Sequence, residues 1–286
     1  MTNVIPLLKE PPVTRPAMRY HGGKWRIAPW IIENFAAHRI YVEPYGGGAS
    51  VLLRKPRCYA EVYNDLDSEV VNVFKVFRDH GQELKKALWA TPFGREEFVN
   101  SYFQSSDPIE QARRTIARSF MGFGSASVTK TRHTTTRFCK PTTGFRANSN
   151  RSGTVPAHDW ANYADAAEAL IIRMRGVTIE NKDALEVMLH NDRIDVLHYV
   201  DPPYVAASRD AGSDYKYEMT DDCHRRLADV LKSLKGKVCL SGYPSSIYEE
   251  LYHDWRRVER KALADGAKER TEVLWMNYDS DMLKLI

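Results

Sequence analysis

Apolar positions along the 286-residue chain keep two rhythms, and the two alternate. Short unbroken apolar runs bounded by turn formers read as buried strands, and apolar residues recurring three and four apart read as helices. Helical spacing covers 25–37 through Trp25, Ile27, Ala28, Ile31, Ile32 and Phe35. Residues 40–45 form a first strand, 50–54 open a helix, and 58–64 form a second strand. Val70, Val71, Val73, Phe74, Val76 and Phe77 then return to helical spacing. Residues 81–120 continue as helices, broken at Thr91-Pro92 and Asp107-Pro108, where proline removes an N–H and restrains the residue before it. A turn-rich stretch at 121–158 precedes a helix around 159–175 led in by Asp159. Two apolar strands follow, Val177 to Glu180 and Ile194 to Val200. Residues 221–234 are helical, Lys237 to Ser241 is a strand, and 245–253 is a short helix. The remaining chain reads as a hairpin turning near Asp265-Gly266, with Glu272 to Tyr278 as its return strand.

Strands alternating with helices argue for an α/β doubly wound sheet, to which the hairpin adds antiparallel strands. There is no internal repeat. The alternation lapses at about 80–165, so the expected organisation is one domain from 1–80 and 166–286, with 81–165 inserted. Composition supports a folded chain, at 43% hydrophobic and 27% charged. The first sixteen residues, with prolines at 6, 11, 12 and 16, read as a loose tail without a signal peptide, and no run is apolar enough to span a membrane. Cys58, Cys139, Cys223 and Cys239 form no CxxC pair or zinc spacing, so no metal is expected and the thiols read as reduced, in a cytoplasmic protein.

The net charge of +4 conceals an asymmetry. From Gln111 to His158 lie nine of the 41 Lys/Arg and none of the 37 Asp/Glu. A solvated loop ordinarily mixes both signs, whereas a phosphate backbone selects one. Arg132, Arg137, Lys140 and Arg146 in this stretch are the candidate nucleic-acid contacts.

The chemistry concentrates in three short segments. Asp201-Pro202-Pro203-Tyr204 closes the Ile194–Val200 run. Two prolines make a stiff elbow at a strand's carboxyl end, where open α/β sheets place their ligands. A carboxylate, rigid carbonyls and an aromatic face suit a flat heterocycle bearing an exocyclic amine. By itself the tetrapeptide serves equally as a strand-terminating turn. Upstream, Tyr41-Val42-Glu43-Pro44-Tyr45-Gly46-Gly47-Gly48-Ala49-Ser50 combines a strand, a glycine turn and a helix start. Further upstream is Arg19-Tyr20-His21-Gly22-Gly23-Lys24-Trp25. The glycine turn lacks the third glycine of a dinucleotide fingerprint, Val51 standing there, and Gly23-Lys24 lacks the remainder of a P-loop. Glu43 would repel a pyrophosphate and attract a cationic ligand. No cysteine follows a proline as cytosine-C5 methylation needs.

In chain order, with the lysine segment first, the glycine turn second and DPPY last, the three segments resemble those of the Dam-like (D12 class) adenine-N6 DNA methyltransferases, over roughly 17–280. The resemblance implies a Rossmann-like methyltransferase sheet, with 81–165 as a mainly helical and loop target-recognition insertion. It implies S-adenosylmethionine as cofactor and double-stranded DNA as partner, in a monomer of a bacterial or phage-infected cell. Glu43, Pro44 and Gly47 would line the methionine part of the cofactor, and Tyr20 and Lys24 would touch it, although Lys24 also reads as a surface lysine and His21 as local variation. Asp65 aligns with the acid that holds the ribose, with Asp67 its rival at i+2. Asp183 would face the cofactor adenine, or else cap the following helix. Asp201 would face both cofactor and base, accepting with the Pro202 carbonyl from adenine N6, while Pro203 stiffens the elbow and Tyr204 stacks on a flipped base. Residues 205–217 would close over that base, or form an ordinary loop. Family members often carry glycine where this chain has Ala49. Because alanine resists positive φ, close backbone approach is expected at Gly46 to Gly48 instead. Two alternatives stand beside this reading: a catalytically idle nucleic-acid-binding module, and an RNA or cytosine-N4 methyltransferase. The latter is disfavoured because Asp, not Ser, opens the DPPY segment.

Overall fold

Seven strands make one mixed sheet in the computed structural model, which describes residues 10–124, 127–128, 141, 143–147, 155–208, 216–263 and 269–279. A short helix α1 (Ala28–Glu33) with proline in its first turn leads into β1 (Ile40–Glu43). Then come α2 (Ser50–Arg54), β2 (Ala60–Asn64) and α3 (Ser68–Asp79). Asp67 caps α3 by accepting from the Glu69 N–H, and the helix buries the six apolar residues whose spacing announced it.

The expected breaks at Pro92 and Pro108 separate α4 (Gly81–Ala90), α5 (Arg95–Asn100) and α6 (Pro108–Met121). Asp107 caps α6, and Pro108 occupies its first turn, where a missing N–H costs nothing. One expectation fails nearby. Asp159 does not lead in a helix; Pro156 starts α7 (Pro156–Ala161) earlier, and α8 (Tyr163–Met174) follows after Asn162. Asp159 lies within α7 and pairs with Arg15 at 2.7 Å. Helices α4, α6 and α8 pack with α3 in the apolar cluster that also covers the sheet, contributing Leu84, Leu88, Ile116, Phe120 and Ile171.

The remaining elements are β3 (Val177–Glu180), α9 (Ala184–His190), β4 (Val196–Val200), α10 (Asp221–Ser233), β5 (Lys237–Gly242), α11 (Ser246–Leu251), β6 (Arg256–Leu263) and β7 (Glu269–Met276). Strand order is β3-β2-β1-β4-β5-β7-β6. The first five strands are parallel, and β7 runs antiparallel between β5 and β6. Helices cover both faces, so β4 is buried at all five positions and reads as an apolar run interrupted only by His198. The hairpin pairs from Arg256↔Met276 to Leu263↔Glu269, and its expected turn at Asp265-Gly266 lies outside the described residues. The strand order reverses between β1 and β4, which opens a crevice beyond their carboxyl ends. No helix among the described residues is long and apolar enough to cross a membrane.

Candidate active site

Glu43 closes β1 at that crevice, and the glycine turn carries the chain from it to α2. Gly47 has φ 46°. A Cβ at Gly46 would stand 2.1 Å from the Tyr63 ring, and one at Gly47 would stand 2.7 Å from the Tyr20 ring. Only glycine fits these two approaches. Ala49, by contrast, departs from expectation: it takes the left-handed conformation, φ 52° and ψ 30°, the one described non-glycine residue with positive φ. Its N–H reaches the Gly46 carbonyl at 2.7 Å, and its carbonyl accepts the Leu53 N–H at 2.9 Å. These bonds hold a conformation that costs a non-glycine residue roughly 1–2 kcal/mol.

Acids surround the turn. Glu43 accepts from the Tyr41 hydroxyl at 2.6 Å and the Leu52 N–H at 2.9 Å. Burial nevertheless pushes its carboxyl up to about 8, outweighing both donors. Asp65, just past β2, receives the Gly47 N–H on one oxygen and the Asp67 N–H on the other, each at 2.8 Å. It thereby staples the glycine turn to the neighbouring strand tip, and burial lifts it to about 6. Asp67 is engaged elsewhere, capping α3 and pairing with Lys216 at 2.8 Å. Asp183 caps α9 through the Leu185 and Glu186 N–H groups, as the simpler of its two readings expects. It also lines the crevice. A cavity of about 290 Å³ joins Tyr20, Glu43, Pro44, Gly47, Asp65 and Asp183 to Asp201 and Pro203, with Leu66, Leu185 and Met219 as an apolar flank. This is the low end of the range for small-molecule pockets.

Asp201 follows β4. One of its oxygens takes the Ser241 hydroxyl of β5 at 2.8 Å, and the other lies 2.9 Å from the Lys24 ammonium. Lys24 is buried, donates to the Gly22 carbonyl at 2.8 Å, and sits 4.6 Å from the Tyr204 ring centre. It is no surface lysine. Tyr204 is 4% exposed, is absent from the cavity lining, and meets the edge of Tyr243 at 4.6 Å. Its hydroxyl donates to Glu272 of β7, whose carboxyl burial pushes up to about 7. Glu272, Ser241 and Lys216 carried no motif in the sequence. The trace of Glu272 was an acid heading the apolar return strand.

Of the nine cations in the acid-free stretch, three belong to α6 and meet acids from outside it. Arg113 pairs with Glu97 and Glu110, Arg114 with Glu110, and buried Arg118 with Glu69. Their placement answers to helix packing, not to an external phosphate. Arg146 lies 3.8 Å from Asp159 and its N–H bonds the Met121 carbonyl. Arg132, Arg137 and Lys140 lie outside the described residues, as does 209–215 of the segment after DPPY. Among the described residues no group of three or more His, Cys, Asp or Glu is placed to hold a metal ion.

The family model for D12 class N6 adenine-specific DNA methyltransferases matches residues 20–265. The chain is also 26% identical to the type II methyltransferase M1.LlaDCHI of Lactococcus lactis subsp. cremoris, across 92% of this chain and 95% of that protein. The family match takes in the glycine turn, Asp65, Asp183 and the Asp201–Tyr204 elbow that the fold gathers at one crevice. The chain therefore belongs to the D12 class N6 adenine-specific DNA methyltransferase family.

Proposed function

We propose that this DNA methyltransferase moves a methyl group from S-adenosylmethionine to N6 of an adenine flipped out of double-stranded DNA. The observation that carries the reading is the single cavity that joins Glu43, Gly47 and Asp65 to Asp201. The donor set fits the cofactor. Glu43 is buried beside the turn backbone with its carboxyl raised chiefly by burial and further by the charge of Asp201, and a neighbouring cation would restore its ionised form. The glycines let the turn backbone pass where a side chain would strike Tyr63 or Tyr20.

In this reading Glu43, Pro44 and Gly47 hold the methionine part, Tyr20 and Lys24 touch the cofactor, Asp65 holds the ribose hydroxyls, and Asp183 faces the cofactor adenine. S-adenosylmethionine, when bound, supplies a methyl group on a positively charged sulfur. The chain's own residues prepare the acceptor. The N6 lone pair of adenine is drawn into the ring, which makes it a weak nucleophile. Asp201 and the Pro202 carbonyl accept from N6 and favour a tetrahedral, electron-rich nitrogen, and Pro203 fixes the elbow. Asp201 is then the first acceptor for the proton that N6 must lose. Fixed acceptors and alignment provide the acceleration, with no covalent enzyme intermediate. Tyr204 offers the base a stacking face once Lys24 vacates it, and 81–165 serves as the target-recognition insertion with Arg132, Arg137, Lys140 and Arg146 on phosphates.

Labelled methyl transfer to unmethylated duplex DNA, followed by nucleoside analysis, tests this. N6-methyladenine is expected. N4-methylcytosine as the product, or DNA binding without transfer, would replace it with one of the two alternatives.

A further inference from the structure

We infer that Glu272 is a positioning residue of the transfer reaction: it takes over the Lys24 ammonium when the amine of the target base claims Asp201, while holding Tyr204 in place. The inference rests on Asp201 being the acceptor of that amine. Ser241 already occupies one Asp201 oxygen, and Lys24 occupies the other at 2.9 Å. The same ammonium stands 4.6 Å from the centre of the Tyr204 ring. A nitrogen bonded to Asp201 beside the Tyr204 face is what an entering adenine amine would also be. Lys24 and the base therefore compete for one place.

A displaced ammonium needs a new partner, because Lys24 is buried and a buried unpaired charge is strongly disfavoured. Glu272 offers one, with an oxygen 4.0 Å from the ammonium, already a loose ion pair but too long for a hydrogen bond. The bond from Lys24 to the Gly22 carbonyl supplies a pivot, so a short swing exchanges one carboxylate for the other. Glu272 also accepts the Tyr204 hydroxyl, which ties the ring that receives the base to the acid that receives the lysine. The titratable groups facing Glu272 are Lys24, Asp201, Tyr204 and Tyr199, and Arg260 lies opposite it in the hairpin register with an exposed side chain. Burial keeps the Glu272 carboxyl protonated up to about pH 7. A neutral acid cannot balance the ammonium, so entry of the base releases a proton from Glu272 to solvent and is favoured above that pH.

Glu272→Gln separates the two roles, since glutamine still accepts from Tyr204 but carries no charge. The experiment measures single-turnover methylation of duplex DNA at saturating S-adenosylmethionine from pH 6 to 8.5, with melting temperature and cofactor affinity as controls. The expected result is a tenfold or greater loss of the transfer rate, cofactor affinity within twofold, and loss of the rate increase near pH 7. In a Lys24→Met background the same substitution should change the rate less than twofold, because no ammonium remains to be received. Glu272→Asp should keep the pH step at a reduced rate, and it decides the case should the glutamine variant fail to fold. Equal losses in both backgrounds, or an unaltered pH profile, overturn the inference while wild-type adenine methylation leaves the Asp201 reading standing. If the wild type makes no N6-methyladenine, that reading fails first.

Discussion

Removing the Asp65 carboxylate tests the cofactor half of the site. Both oxygens already hold backbone N–H groups, from Gly47 and Asp67 at 2.8 Å, so Asp65 has a structural duty besides any contact with a ribose. A carboxylate oxygen accepts more than one hydrogen bond, and these two bonds leave lone pairs for a ligand hydroxyl. Hydrogen bonds to a charged group are worth about 1.5–3 kcal/mol, which corresponds to a loss of cofactor affinity of about 10- to 150-fold. Asp65→Ala also strips two buried N–H groups of their acceptor, at about 1–3 kcal/mol each, so it should lower the melting temperature as well. Asp65→Asn keeps one carbonyl oxygen and should lose less stability for a comparable loss of affinity. Calorimetric titration of S-adenosylmethionine into both variants reads the affinity, thermal melts read the staple, and cofactor-free DNA binding should stay unchanged. If both variants melt lower yet bind the cofactor within twofold of wild type, Asp65 is only a staple. The ribose acceptor would then have to be Asp67, which would first have to leave Lys216 and the cap of α3.

Asp201→Ala should abolish methyl transfer with the fold intact by circular dichroism, and activity within tenfold of wild type would sink its assigned role. Tyr204→Ala should lose the stacking worth about 1–3 kcal/mol, while Tyr204→Phe and Tyr204→Trp retain much of the activity; a Phe variant as inactive as Ala would transfer the role to the hydroxyl on Glu272. Alanine at Arg132, Arg137, Lys140 or Arg146 should each weaken DNA binding and reduce the slope of log K against log salt by about one unit, with cofactor affinity constant; four variants that bind like wild type at every salt would move the interface elsewhere. Without ligands, stability should fall as pH rises from about 6.5 to 8. The raised carboxyls of Glu43 and Glu272, at about 8 and about 7, hold protons there that the unfolded chain has released. Half-buried His38 and buried His198, shifted downward chiefly by desolvation, act with the opposite sign below their ordinary 6.5. Melts at constant ionic strength that stay flat or rise across this window refute the assignment, and Glu43→Gln should flatten them.

The parts of the sheet that lie together in sequence were legible. Apolar positions marked the parallel strands, and the DPPY elbow had to fall at a carboxyl end because two prolines cannot continue a buried strand. Asp65 was readable for the same reason, standing just past the strand after the glycine turn. Local rules failed where tertiary structure supplied the cause. Ala49 breaks its backbone preference because the turn into α2 is held by bonds to Gly46 and Leu53, a departure expected more often at functional sites than elsewhere. Asp159 looked like a helix cap, but Pro156 starts the helix earlier. Arg113, Arg114 and Arg118 counted toward a one-signed stretch although their partners, Glu97, Glu110 and Glu69, precede it in sequence. Glu272 was beyond reach because its nearness to Asp201 depends on β7 running beside β5, an adjacency no local pattern encodes.

These acids also share a physical logic. Glu43, Asp65 and Glu272 come from three different strands or strand ends, yet burial is the leading cause of the raised carboxyl in each. A fold selected only for stability would replace such groups with apolar ones, since a buried carboxyl, even a hydrogen-bonded one, is often no better for the core than a well-packed apolar side chain. Glu43 and Asp65 line the cavity and Glu272 stands by Lys24 beside it, a placement that suits entering cations. A ligand with positive charge beside Glu43, or an ammonium swung onto Glu272, would favour the ionised form of each raised carboxyl. Asp201 differs from these three in geometry, since it already has a bonded cation in Lys24 and a hydroxyl donor in Ser241. Of the acids gathered at the site, Asp201 is thus the one that already holds a bonded cation, and under the proposed mechanism it is also the one that meets the entering amine.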